Sequence, residues 1–263
     1  MPLATPNETR FMQTLRTLFH GQAREVKARL TPQGIKAGKE VDLSHWPAAM
    51  VPHLRPYLIK AWQQGMAESV RQLGSNLNRD ALNIDKLRKR MLREVDQTIL
   101  DFCTEAVQRI QDEVNAAAKE IKRKYKRNEL SWGEVKREID DLVMSKVASP
   151  NRAKITADYQ SHAGKQAGKL LIAEASGNVG GKRWICKFTP TTCDVCKSLH
   201  GRTVAIDEAF IVLPGGGPYA TVWAPPTHPH CFCESQLVLG VVGKRKKSWE
   251  EEMLEERRLV EWA

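Results

Sequence analysis

The chain has 263 residues, 41% of them apolar, with a formal net charge of +10 and a pI near 9.4. That apolar content excludes a disordered chain and is enough for one large or two small domains. No apolar run approaches the roughly 18 residues of a membrane span, and Met-Pro-Leu-Ala-Thr-Pro-Asn-Glu at the start holds no basic segment followed by an apolar one, so the sequence reads as a soluble protein of a reducing cytoplasm. The positive excess favours a polyanionic partner, although charge alone fits DNA, RNA, an acidic protein surface or simple solubility.

In chain order, Thr5-Pro6-Asn7-Glu8 has the form of a helix start, and Leu15, Leu18, Phe19, Val26 and Leu30 follow at helical spacing until Thr31-Pro32-Gln33-Gly34 ends the helix. Three prolines between Ser44 and Pro56 are expected to interrupt any helix there. Leu58, Ile59, Trp62, Met66, Val70 and Leu73 then form a second stripe. The longest periodic segment runs from about Asn83 to Arg127 through Leu87, Met91, Val95, Ile99, Phe102, Ala106, Ile110, Val114, Ala117 and Ile121. A helix of that length extends roughly 65 Å, as one member of a bundle core or as an exposed partner-binding rod.

Ser131-Trp-Gly-Glu134 is a capping box for a helix ending near Ala148, and another helix runs from Asn151 to about Ser176 with Ile155, Tyr159, Ala163, Leu170 and Ala173 in its apolar positions. Gly177 to Gly181 is a flexible stop, after which Lys182–Thr189, Thr203–Ile206 and Glu234–Val242 alternate as strands. Pro214-Gly-Gly-Gly-Pro218 lacks the Gly-Lys-Ser/Thr of a phosphate-binding loop and reads as an exposed turn. Two basic runs stand out, Lys122, Arg123, Lys124, Lys126 and Arg127 at the end of the long helix, and Lys244, Arg245, Lys246 and Lys247 in a linker. Either can neutralise phosphates, and either can be a solvated face. Ser248-Trp-Glu-Glu251 caps a short acidic helix to Trp262, whose apolar residues suit docking on a partner or on the body.

Four of the six cysteines fall into two clusters, Cys193-Asp-Val-Cys196 and His228-Pro-His230-Cys231-Phe-Cys233. In a reducing compartment, paired thiols at this spacing point to a metal, and structural zinc is the ion that sulfur and imidazole hold in a closed tetrahedron. Seven side chains compete for four places: Cys193, Cys196, His200, His228, His230, Cys231 and Cys233. Residues two apart in an extended strand face one side, which lets Cys231 and Cys233 point together, and His228 reaches back across a turn at Pro229. The expected ligands are Cys193, Cys196 and Cys231, with His228 or Cys233 as the fourth. Cys103 and Cys186 are expected to be small buried apolar residues.

A fully protein-filled site has no open position for water and is structural. The His-x-Glu of zinc deaminases and the His-Glu-x-x-His of metalloproteases are both absent. A zinc-braced nuclease using His228, His230 and Asp207 is the alternative enzyme reading, and it needs a second, hydrolytic metal site.

The same residues carry a family resemblance. Trp184, the string Cys193-Asp-Val-Cys196-Lys-Ser-Leu-His-Gly201-Arg-Thr-Val, Phe210, and Pro225-Pro-Thr-His228-Pro-His-Cys231-Phe-Cys233 resemble the phage Mu protein F-like family, the head-morphogenesis or minor head proteins of tailed bacteriophages. The likeness covers about residues 151–239, with Ile155-Thr-Ala-Asp-Tyr159 in the preceding helix, and Phe232 stands where the family commonly has Arg. It implies a non-enzymatic component of the phage head, present in few copies. Such a protein associates with the portal, and with the scaffold or major capsid protein, lies against packaged double-stranded DNA inside the virion, and is assembled in the host cytoplasm. No catalytic residues carry over, and zinc rests on ligand spacing alone.

The expected architecture is α+β. A helical region over residues 1–150 precedes a head-morphogenesis domain over 151–242 with the Cys/His cluster, and a basic linker with a C-terminal helix over 243–263. A sequence-reading nucleic-acid regulator is the third function class compatible with zinc and positive charge.

Overall fold

The computed structural model describes residues 5–190, 192–211 and 221–240. The Pro214–Pro218 loop, the Lys244–Lys247 run and the C-terminal helix expected to Trp262 lie outside the described residues. Helix α1 (Pro6–Arg29) starts at a closed capping box, in which Thr5 accepts from the Glu8 N–H and Glu8 from the Thr5 N–H. Its buried residues include Phe11, Leu15, Phe19 and Val26. The helix ends just before Thr31, as expected, with Leu30 as its C-cap; the sequence reading did not foresee that Thr31 then accepts from the Gly34 N–H to start a separate six-residue helix, α2 (Pro32–Ala37), ended by Gly38 at φ 71°.

The prolines of the next segment do not break it. Helix α3 (Trp46–Leu73) takes Pro47 into its first turn and carries Pro52 and Pro56 inside. These two lie four residues apart on the exposed side, where water can solvate the carbonyls left without N–H partners, while Met50, Leu54 and Leu58 hold the opposite side in the core. The stripe of α3 is also displaced from the expected one, with Ala61, Gly65 and Ser69 buried and Val70 exposed.

Helix α4 (Ile84–Lys126) is capped by Asn83 and spans 43 residues, matching the long periodic segment. It is a member of the bundle: Leu87, Met91, Val95, Ile99, Cys103, Ile110, Val114 and Ile121 are buried against α3 and its neighbours. Gln111 and Asn115 of α4 accept the Leu43 and Val41 N–H groups, tying the α2–α3 connection to the middle of the rod. Helix α5 (Trp132–Leu142) begins at the Ser131/Glu134 capping box and continues as a π-helical turn, Val143–Val147. Arg152 donates to the Lys146 and Val147 carbonyls that this turn frees, and its guanidinium lies 4.1 Å from the Phe19 ring centroid.

Helix α6 (Pro150–Ser176) packs chiefly on α3 and also on α1. Only the second half of its expected stripe is in the core: Leu170 and Ala173 are buried, whereas Ile155, Tyr159 and Ala163 are half-buried. Small residues let the helix approach α3 closely, with Gly164 against Ala61 and Trp62 and Gly168 against the Trp62 backbone. Gly177, at φ 70°, ends the helix as expected, but the flexible stop goes no further, because strand β1 (Val179–Ile185) takes in Gly180 and Gly181 and finishes before Thr189.

After the short helix α7 (Asp194–Leu199) come β2 (Thr203–Ala205), β3 (Phe210–Ile211), β4 (Thr221–Val222) and β5 (Glu234–Leu239). An antiparallel sheet has the order β2-β1-β5, with Lys182 opposite Val204 on one side and Leu237 on the other, and β3 pairs with β4. The fold is therefore α+β. Val179 and Leu237 join the helical core, whereas Trp184, Cys186, Cys196, Leu199, Phe210, Cys231 and Cys233 form a second core of their own. Among the described residues, no helix is long and apolar enough to cross a membrane.

Candidate metal centre

Each half of the site is a small structural device. Cys193 occupies the N-cap of α7, and its sulfur accepts the Cys196 N–H at 3.3 Å, so one side chain both starts the helix and faces the residue one turn on. On the other side a tight turn closes with the Cys231 N–H on the His228 carbonyl at 3.1 Å, and His230 takes φ 64° within it. The turn sends His228 and Cys231 inward and leaves His230 exposed.

The two devices meet at Cys196. The His228 Nε2 lies 3.0 Å from the Cys193 sulfur and 3.3 Å from the Cys196 sulfur, and the Cys196 and Cys231 sulfurs are 3.6 Å apart. Cys193, Cys196 and His228 form one group of potential ligands, and Cys196, Cys231 and Cys233 another. Bonds of about 2.3 Å to sulfur place two tetrahedral sulfurs about 3.8 Å apart. The observed spacings are close to that, so the cluster can hold a metal ion. All five residues selected from the sequence are brought together. His200 is turned away, accepting the Cys186 N–H through Nδ1 at 3.1 Å and lying edge-on to Phe188.

The orientation of His228 fits a cation. Its Nδ1 is 2.7 Å from the Pro229 carbonyl, which fixes the proton there and leaves the Nε2 lone pair directed between two sulfurs. Without an ion, a protonated Cys193 or Cys196 thiol can donate to that lone pair; with an ion bound, the same lone pair is free to coordinate. In the protein alone, hydrogen bonds from Cys196 and then Cys233 hold the Cys231 thiol well below its ordinary value. The same bond to Cys231 pushes the Cys196 thiol up to about 12. Cys233 is raised too, by its contacts with Cys196 and Cys231. One thiolate is thus already favoured inside the cluster.

Helix α6 holds the site from behind. Tyr159, His162 and Gln166 share one face at i, i+3 and i+7. Tyr159 donates to the Pro226 carbonyl at 3.5 Å, His162 Nε2 lies 2.7 Å from the Cys233 carbonyl, and Gln166 accepts the Ser235 N–H at 2.9 Å. Burial lowers the His162 pKa and keeps the ring neutral, suited to donating one N–H. These supports explain why the first half of α6 is polar, a feature that the apolar stripe could not reveal. Cys103 and Cys186 are buried, as expected, and burial pushes the Cys103 thiol up to about 12.

Sequence reasoning missed Lys182. It lies in the middle of β1 with 0% exposure, and its Nζ has no hydrogen-bond partner among the described residues. The ammonium sits 3.6 Å from the centroid of Trp223 and 5.9 Å from that of Phe210. The hydrophobic alternation of the strand conceals it, since a lysine reads as outward-facing. Burial lowers its pKa to about 8 from the ordinary 10.5. Since the folded value lies below the unfolded one, the cost of burying the charge is fully present below pH 8 and is relieved as pH rises toward 10.5. Lys182→Met is expected to raise stability at pH 7 by about 2–3 kcal/mol, and this advantage should shrink by most of its size at pH 10. Urea unfolding of both proteins at the two pH values checks it.

The basic residues singled out at the end of α4 do not form a free patch. Arg123 pairs with Glu120 at 2.7 Å, Lys124 with Glu138 at 3.3 Å and Arg127 with Glu129 at 3.7 Å, while Lys122 and Lys126 carry no ion pair among the described residues. Asp207 and Glu208 lie on the Lys182 side, and among the described residues the groups able to hold a metal are the cysteine and histidine ones. Compared with protein-family models, with curated proteins and with solved structures, the chain finds no match in any of the three.

Proposed function

We propose that this chain is a minor head protein of a tailed bacteriophage, of the Mu F-like kind, in which a zinc-braced module serves as a rigid docking unit beside the portal. The observation that carries the reading is the convergence of the residues on which the resemblance rests. Trp184 packs edge-on against Phe210 at 5.3 Å between ring centroids, and its carbonyl accepts the Gly201 N–H at 2.8 Å. Gly201 has φ 77°, which explains a glycine at that place in the string. Pro225 to Cys233 then closes over Cys193 and Cys196. These residues build one local structure rather than being scattered over the surface.

Cys193, Cys196 and Cys231 would supply thiolates, and His228 or Cys233 the fourth bond. The ion would supply cross-linking, because a second core of so few apolar residues with two-residue and three-residue strands has little stability of its own. The module is read as structural rather than catalytic, and double-stranded DNA, the portal and the scaffold or major capsid protein are its partners in this reading.

Co-expression with the portal protein encoded by the same genome tests it. The expected result is a complex that survives size-exclusion chromatography and is lost with Cys196→Ser. Failure to associate, together with cleavage of supercoiled plasmid on adding Mg2+ or Mn2+, would replace it with the nuclease reading.

A further inference from the structure

Residues 86–93, at the start of α4, carry five cations and no carboxylate: Lys86, Arg88, Lys89, Arg90 and Arg93. Arg90 is held by Glu94 at 2.6 Å and Glu174 at 2.8 Å. The other four are exposed, and none has an ion-pair partner among the described residues. The run that the sequence singled out, from Lys122 to Arg127, lies at the other end of the same helix. That run spends three of its five charges on nearby glutamates.

The free cations are also aligned. Lys86, Lys89 and Arg93 stand at i, i+3 and i+7, one face of the helix, while Leu87, Met91 and Val95 are buried on another. Seven residues of helix rise cover about 10 Å, the axial length of about three phosphates on one strand of a duplex. Arg88 flanks the row, and exposed Arg79 precedes the helix. No aromatic side chain lies between residues 86 and 93, so the surface offers no platform on which an unpaired base could stack. Cations without aromatics suit the sugar–phosphate backbone of a double strand, read without sequence preference.

We infer that the face of α4 made by Lys86, Lys89 and Arg93, with Arg88 beside it, is the surface on which this chain holds the phosphate backbone of double-stranded DNA. The inference rests on the DNA contact in the proposed function and moves that contact from the C-terminal to the N-terminal end of the long helix.

Fluorescence anisotropy of a random-sequence duplex, titrated with the full-length protein over a series of salt concentrations, tests the inference. In one variant Lys86, Arg88, Lys89 and Arg93 become Gln, in a second Lys122, Arg123, Lys124, Lys126 and Arg127 do, and in a third Lys244, Arg245, Lys246 and Lys247 do. The first is expected to bind at least tenfold more weakly, with the slope of log K against log salt reduced by about 3 to 4, and the others to stay within about threefold of the wild type. Unchanged melting temperatures show that the exposed substitutions leave the fold intact. Wild-type-like binding by the first variant, an equal loss in the second or third, or a preference for single strands overturns the assignment. A wild type that does not bind DNA also overturns it, while portal association, measured separately, still decides the head-protein reading.

Discussion

Cys196→Ser is expected to abolish metal binding and unfold the second core while the helical bundle stays folded. Cys196 is the residue common to both ligand groups, within 3.3 Å of the His228 Nε2 and 3.6 Å of the Cys231 sulfur, so its loss removes a thiolate from either of the two expected arrangements. Structural zinc in small domains contributes about 10–16 kcal/mol of apparent binding free energy near neutral pH, and that energy is folding energy where the ligands cannot gather without it. The helical core from Phe11 to Ala173 has many buried aliphatic residues and does not depend on the cluster. Metal analysis should therefore find one zinc per wild-type chain and almost none in the variant. Far-UV circular dichroism should change little, and proteases should gain access between β1 and β5. Chelation of the wild-type protein should reproduce the variant. His228→Ala and Cys233→Ser then identify the fourth ligand, since the one that bonds the ion loses far more affinity than the one that neighbours it.

The helices were legible where hydrophobic period and caps agree. Thr5/Glu8 and Ser131/Glu134 close as capping boxes, and Asn83 caps a helix whose buried positions follow the stripe read from the sequence. The sequence misled at Pro52 and Pro56, because proline's cost was weighed without the side of the helix on which it falls. Two prolines one turn apart on a solvated face lose hydrogen bonds that water replaces, and the buried residues opposite them decide the outcome.

The Cys/His cluster was legible because its signal is local: two cysteines a turn apart, and a Pro-rich string ending in Cys-x-Cys. Its supports were not. His162 and Gln166 read as ordinary polar residues of a helix, and nothing in the spacing shows that they face the backbone at Cys233 and Ser235. The basic surface was misjudged for a related reason. Charge density can be counted along a chain, but whether a cation is free depends on its neighbours in the fold: Glu120 stands one turn before Arg123, and Glu138 reaches Lys124 from α5.

The contact between α3 and α6 is where a single methyl group has the largest expected effect on the bundle. A Cβ at Gly65 would lie 1.8 Å from the Lys165 carbonyl oxygen, and one at Gly168 would lie 2.0 Å from the Trp62 carbonyl oxygen. Both obstacles are backbone, which cannot swing aside as a side chain does, so the helices must separate and loosen the packing of Ala61 and Trp62 against Gly164. Gly65→Ala and Gly168→Ala should each cost about 3 kcal/mol, at the upper end of overpacking, although alanine is intrinsically the better helix former. For a chain of this size the corresponding fall in Tm is about 6–12 °C. Separation forced by one methyl makes room for the other, so the double variant should lose clearly less than the sum of the single losses. Gly133, in the exposed part of α5, has nothing within 4 Å of the place a methyl would take and supplies the control: Gly133→Ala should leave the Tm unchanged or raise it slightly. Additive losses from the α3–α6 pair, or a Gly133→Ala protein as unstable as the others, would show that helix separation is not the cause.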